Sequence, residues 1–147
     1  AMAMMLTYPG VPSIFAGDEI GLEGAWGEDS RRTINWDDRS QWDLEFFTEI
    51  KKLVELRRNR DSLINGGLRW LAVEADYVAY LRESTKESLL VFISRKGVKT
   101  TLNLVPYGYV FKERLFGQEA TGATTVINST DAVQCIWVVE PSQKRKG

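Results

Sequence analysis

From Leu68 onward the apolar residues return at every second position. The runs "LRWLAV", "YVAYLRE", "LLVFISR", "TTLNLV", "YVFKERLF", "ATTVI" and "AVQCIWVVE" make seven short strand candidates. Between them lie "EAD", "STKES", "KGVK", "PYG", "GQEATG" and "NSTD", compositions that turn a chain rather than extend it. A period of two puts alternate side chains on one face. Val133, Cys135, Trp137 and Val139 therefore share a face, and Leu102 and Leu104 point inward where Thr101 and Asn103 point outward. Strands of this number and spacing predict an antiparallel Greek-key β-sandwich over residues 63–141, so the chain is mainly β. Residues 142–147, ending in "KRKG", read as a solvated tail.

Residues 1–62 follow another pattern. "AMAMML" reads as the tail of a packed helix stopped at Tyr8-Pro9-Gly10. "VPSIFA", Val11 to Ala16, is apolar without alternation, which predicts a strand covered on both faces as in a parallel sheet. A loop rich in Gly, Asp, Glu and Arg runs from Asp18 to Arg39, too long for a simple connector. Ser40 then reads as an N-cap, with Asp43 completing a capping-box variant. The helix "QWDLEFFTEIKKLVELRRN" spans 41–59, with Trp42, Phe46, Ile50, Leu53, Val54 and Arg57 recurring at helical spacing.

Composition removes several classes of function. Nineteen basic against 20 acidic side chains give net −1, without the concentrated positive charge that nucleic-acid or membrane-surface binding needs. The count of His is 0, which excludes Ser-His and Cys-His nucleophilic mechanisms and a His-ligated zinc. The one cysteine, Cys135, makes no internal disulfide and no multi-cysteine metal site, and its strand-like setting is that of a small core hydrophobe. No cofactor or metal is expected. The longest apolar run falls far below the roughly 18 residues of a membrane span, and the N-terminal residues lack a signal-peptide layout. The compartment is open, with the cytoplasm favoured.

Acid-base chemistry would have to rest on carboxylates, Lys or Tyr. The loop offers Asp18, Glu19, Glu23, Glu28, Asp29, Asp37 and Asp38. Two of them paired would suit a glycosidase, yet no spacing fixes such a pair, and the same acids serve as caps and as partners for Arg31, Arg32 and Arg39. Gly17, Asp18 and Glu19 follow the expected buried strand, a place suited either to function or to fixing the turn by hydrogen bonds to loop amides. Arg31 lies between Trp26 and Trp36, and an arginine fork beside an aromatic face grips sugar hydroxyls; equally, the tryptophans could anchor the loop. Trp70, Tyr77, Tyr80, Phe92, Tyr107, Tyr109, Phe111 and Trp137 could form a carbohydrate platform, although strand aromatics usually pack in cores.

"YPGVPSIFAGDEIGLEG" resembles the α-amylase family of glycoside hydrolases around the eighth strand of the (β/α)8 barrel. The likeness is carried by Pro9, Gly10, Pro12, Ile14, Gly17, Asp18, Glu19, Ile20 and Gly21. "SRRTINWDD" is similar to that family's Asn-Arg-Arg-x-x-x-Trp loop, "FFTEIKKLVELRRNRDSL" to its eighth barrel helix, and the sandwich to its domain C. The resemblance implies strand, loop and helix of the last barrel unit over 1–62, followed by domain C over 63–141. A full barrel takes about 250 residues, so a chain of 147 closes none. In the family the catalytic carboxylates follow strands four, five and seven and would all precede residue 1, which implies no catalytic residue here. Arg31 matches an arginine that contacts glucose in neopullulanase-like members, while Gly27 stands where they usually carry an aspartate. The partners implied are an α-glucan or maltooligosaccharide, reached through the larger enzyme. Self-association is a further expectation if the barrel-facing side of helix 41–59, with Trp42, Phe46 and Ile50, lies bare.

Overall fold

The alternating runs all become strands. The structure, a computed structural model, describes residues 1–27, 29 and 33–142. Its strands are β1 Gly67–Val73, β2 Tyr77–Glu83, β3 Ser88–Ser94, β4 Val98–Asn103, β5 Tyr109–Phe116, β6 Thr124–Ser129 and β7 Gln134–Pro141. Five form one antiparallel sheet in the order β1-β2-β3-β7-β5, and β4 pairs with β6 in a second. From β3 onward the chain alternates between the sheets, and β7 inserts between β3 and β5, the out-of-sequence return of a Greek-key sandwich. β4 ends sooner than the pattern "TTLNLV" suggests. The Asn103 side chain accepts the Val105 N–H at 3.0 Å, and Pro106, without an N–H, sits in the 3₁₀ turn Val105–Tyr107. Leu104 nonetheless remains in the core.

Helix α1 spans Met2–Thr7, α2 Leu44–Asn59 and α3 Asp61–Ile64. Two differences from expectation matter. Ser40 is not the cap of α2: the Asp43 carboxylate accepts the Phe46 N–H at 2.9 Å, so the helix begins at Leu44. Val11–Ala16 is not a strand. A parallel strand takes its hydrogen bonds and its cover from neighbours on both sides. Here Val11 is 96% and Phe15 56% exposed, and no described strand pairs with the segment.

The central strands β2, β3 and β7 of the five-stranded sheet are buried on both faces. Ala79, Leu81, Leu90, Phe92, Cys135 and Trp137 meet Leu102, Leu104 and Ile127 between the two sheets. The alternate residues, Tyr80, Leu89, Val91 and Ile136, pack on Ala3, Leu6, Ile50, Leu53 and Leu63 of the helices. This is why "SLLVFIS" and "QCIWVV" run nearly unbroken in apolar character, as strands covered on both sides do. Cys135 sits in the first of these layers, where burial pushes its thiol pKa up and leaves it a packing residue.

One polar group crosses the helix-facing layer. Arg82 follows Tyr80 on the same face of β2 and is 1% exposed. Its guanidinium donates to the carbonyls of Thr7, Leu63 at 3.0 Å, Gly66 at 2.9 Å and Gly67 at 3.3 Å. Thr7 ends α1, and Leu63 and Gly66 flank the end of α3, so one side chain fills the carbonyls left over at two helix ends. The Tyr80 hydroxyl is hydrogen-bonded to that of Thr7. On the other side of the same turn, Arg57 of α2 donates to Tyr8 O at 2.9 Å and to Gly10 O.

Two outcomes follow from this layer. Arg82→Met leaves two buried and two part-buried carbonyls without their donor and is expected to lose roughly 3–5 kcal/mol, a fall in Tm on the order of 10 °C, with Arg82→Lys recovering only part of it. Thermal melts of the three proteins check this, and an Arg82→Met melt within a degree or two of the parent contradicts it. Burial also pushes the Tyr80 phenol up from 10.0 to about 12, with Thr7 and the Arg82 charge pulling the other way. The folded state holds the neutral phenol, so its contribution is intact below pH 10 and is lost as the pH rises through about 12, a change of about 2–3 kcal/mol. Absorbance at the phenolate band is expected to show a late step that Tyr80→Phe removes; an unchanged titration in that variant contradicts the assignment.

Candidate functional site

The sequence Gly-Asp-Glu-Ile-Gly, residues 17–21, folds as one tight turn. Gly17 has φ 104° and Gly21 φ 69°, left-handed values that suit glycine at both ends of the 3₁₀ turn Asp18–Ile20. The Glu19 carboxylate accepts the Gly17 N–H at 2.8 Å, and Leu22 N–H closes the loop on Gly17 O at 3.0 Å. Ile20 is buried, and its carbonyl accepts the Asp43 N–H at 3.0 Å. The motif thus holds the residue that caps α2. Glu19 fixes the turn, whereas the Asp18 side chain is exposed to solvent.

The second half of the loop presents a tryptophan. The Asn35 side chain accepts the N–H groups of Asp37 and Asp38, both at 3.1 Å, and this Asx-type turn pushes Trp36 outward, 64% exposed. The Trp36 ring packs edge to face on Trp42, with centroids 5.6 Å apart at 78°. The Arg39 guanidinium lies 5.0 Å from the centroid of the Trp42 ring, and Phe47 of α2 meets that ring at 5.7 Å. Arg39, read from the sequence as a partner for loop acids, stacks on an aromatic instead. Asp38 is held below the usual carboxylate range by the Ser40 backbone N–H.

The candidate saccharide residues do not all come together. Trp26 is 62% exposed and, among the described residues, makes no ring contact with Trp36 or Trp42. Arg31 lies outside the described residues. Among the described residues no group of three or more His, Cys, Asp or Glu side chains could hold a metal ion, and no helix is long and apolar enough to cross a membrane.

The aromatics of the sandwich form no exposed row. Tyr80, Phe92, Phe111 and Trp137 are buried. Trp70 is 41% exposed but packs at 5.2 Å on Tyr80, facing the helices, while Tyr107 lies near Arg69. Of the residues expected to lie bare on helix 41–59, Ile50 is 3% exposed and packs toward the sheet, while Trp42 and Phe46 are half-buried. Ile50 also lines an open groove of 780 Å³ together with Ile14, Phe47, Lys51, Val54 and Arg58, and Phe46 lines a second of 790 Å³. Helical spacing alone does not say which of two apolar stripes meets the sheet. Likewise, nothing in the periodicity marks Arg82, Arg39 or the Asn35 turn; only the Asn-x-Asp-Asp run carried a turn signal.

No protein-family model matches the chain. It is 35% identical over 127 residues to neopullulanase 2 of Thermoactinomyces vulgaris, covering 83% of this chain and 22% of that protein. It is 31% identical over 104 residues to a cyclomaltodextrinase of a Bacillus species, covering 69% of this chain and 18% of that protein. The chain thus spans about a fifth of the length of these relatives. Among solved structures, an Anoxybacillus α-amylase superposes with a TM-score of 0.78 at 24% identity, over 97% of this chain and 32% of that one. The trehalulose synthase of Pseudomonas mesoacidophila MX-45 gives 0.76 at 18% identity, over 95% and 37%. The sequence is thus similar to enzymes that bear glucan-cleaving names, and the fold to an α-amylase and a trehalulose synthase. The chain belongs to the α-amylase family of glycoside hydrolases and corresponds to its C-terminal part.

Proposed function

We propose that residues 1–62 serve as the last unit of a (β/α)8 barrel and residues 63–141 as a sandwich that braces it, within a glycosidase acting on α-glucans or maltooligosaccharides. What supports this reading is the second buried face of the large sheet. A free-standing sandwich would turn that face to water, yet Tyr80, Leu89, Val91 and Ile136 are fully buried against α1, α2 and α3. The sandwich therefore acts by holding the helices rather than by chemistry.

The reaction is a retaining double displacement, and its two carboxylates lie in the part of the enzyme that the family places before this segment. The loop that carries Trp26, Arg31 and Trp36 supplies sugar contacts. Its aromatic faces suit the C–H side of a pyranose, and the guanidinium suits its hydroxyls. The carbohydrate-module alternative loses its residues, because most sandwich aromatics are in the cores.

The purified chain, incubated with maltohexaose, pullulan or a cyclomaltodextrin, is expected to release no reducing ends above a buffer blank. Hydrolysis that co-purifies with the chain through two orthogonal columns contradicts the reading, since it would place a working carboxylate pair within these residues.

A further inference from the structure

We propose that Trp36, held by a Trp42 ring that Arg39 in turn covers, is a preformed stacking platform for a glucose unit of an α-glucan, and that Trp26 is no part of it. The inference rests on the saccharide reading of the loop and names its built portion. An exposed indole on a free loop would lose side-chain and backbone freedom on binding, which weakens it as a ligand contact. Trp36 is constrained before any ligand arrives. Its backbone is pinned by the Asn35 side chain through the Asp37 and Asp38 N–H groups. Its ring is fixed edge to face on Trp42 at 5.6 Å. Trp42 is in turn half-buried between the Arg39 guanidinium at 5.0 Å and the Phe47 ring at 5.7 Å. The ring that remains is 64% exposed, which leaves it open to a partner.

The chemistry around it suits a sugar. Trp36 offers one flat apolar surface, and its sequence neighbours Asn35, Asp37, Asp38, Arg39 and Gln41 are all exposed polar residues. A protein hot spot is an aromatic anchor seated among apolar contacts that exclude water. A single aromatic floor with polar groups about it instead matches a pyranose, whose C–H face is apolar and whose edge carries hydroxyls. Trp26 has no such support among the described residues. Its turn is tied by the Ala25 N–H to the Asp29 carboxylate at 2.9 Å, without a ring behind it.

The test uses the five indole N–H signals of the chain in a nitrogen-15 correlation spectrum, titrated with maltohexaose. The Trp36 signal is expected to shift most and Trp42 next. Trp137, whose Nε1–H donates to Gln118 O at 2.8 Å inside the core, is expected to stay fixed and reports that the fold is intact. Trp36→Ala is expected to abolish the shifts. Trp42→Leu removes the edge-to-face support and is expected to raise Kd roughly three- to tenfold with the Trp137 signal unmoved, while Trp42→Phe restores affinity. Shifts at Trp26 with Trp36 stationary overturn the inference while leaving the loop a saccharide site. An unchanged Kd in Trp42→Leu overturns the positioning role. No indole shift at millimolar maltohexaose removes both the inference and the saccharide reading it rests on.

Discussion

A guanidinium buried without an acid beside it organises this chain. Arg82 is 1% exposed, and the partners that hold it are carbonyl oxygens of Thr7, Leu63, Gly66 and Gly67. Removing such a charge from water is unfavourable unless its donors are satisfied, and burial lowers its pKa accordingly. The compensation comes chiefly from helix ends, with Gly67 at the start of β1 adding one carbonyl. α1 and α3 stop at carbonyls that have no partner within their own helices and that carry the negative end of the local dipoles. Sandwich and helices each carry half of an arrangement that neither completes alone, since without α1 and α3 the cation is stranded, and without β2 the carbonyls are.

The turn Thr7–Gly10 carries that constraint toward the Gly17–Gly21 loop. Arg82 takes its first carbonyl, and Arg57 takes Tyr8 O and Gly10 O from the side of α2. From Gly10 the chain runs to the turn at Gly17–Gly21, which returns to α2 through Ile20 O and the Asp43 N–H. The path from sandwich to loop is therefore hydrogen-bonded at both ends of the 11–16 segment, although the segment itself belongs to no sheet. Above it the Asn35 turn and the Trp36–Trp42–Phe47 contacts tie the outer loop to the same helix. α2 is the common floor of all these elements.

How much of this could be read in advance depended on how local its cause is. The strands were legible because antiparallel pairing of neighbours needs only alternation and turn residues, and β2 matches the run "YVAYLRE" residue for residue. Val11–Ala16 failed as a strand because an apolar run states what can be buried, not what is there to pair with it. Ser40 reads as the cap, with Asp43 only its box partner, whereas Asp43 caps α2 and a tertiary contact, Ile20 O to Asp43 N–H, holds it there. In the site, the glycines at 17 and 21 announced a turn, but an arginine at an alternate strand position looks like a solvent residue until the helix ends that receive it are known. The stacking of Arg39 on Trp42 was likewise hidden, since it depends on the path of the loop.

Helices and sandwich, joined through the buried face of the large sheet, are expected to open as one cooperative unit. Native-state amide hydrogen exchange across a denaturant series measures this. The slowest amides of α2, around Ile50 and Leu53, and those of β3, from Leu89 to Phe92, are expected to exchange with the same opening free energy and the same denaturant dependence. Opening of α2 at a lower free energy, with β3 still protected, would contradict this and leave the sandwich a domain that carries the helices without being joined to them.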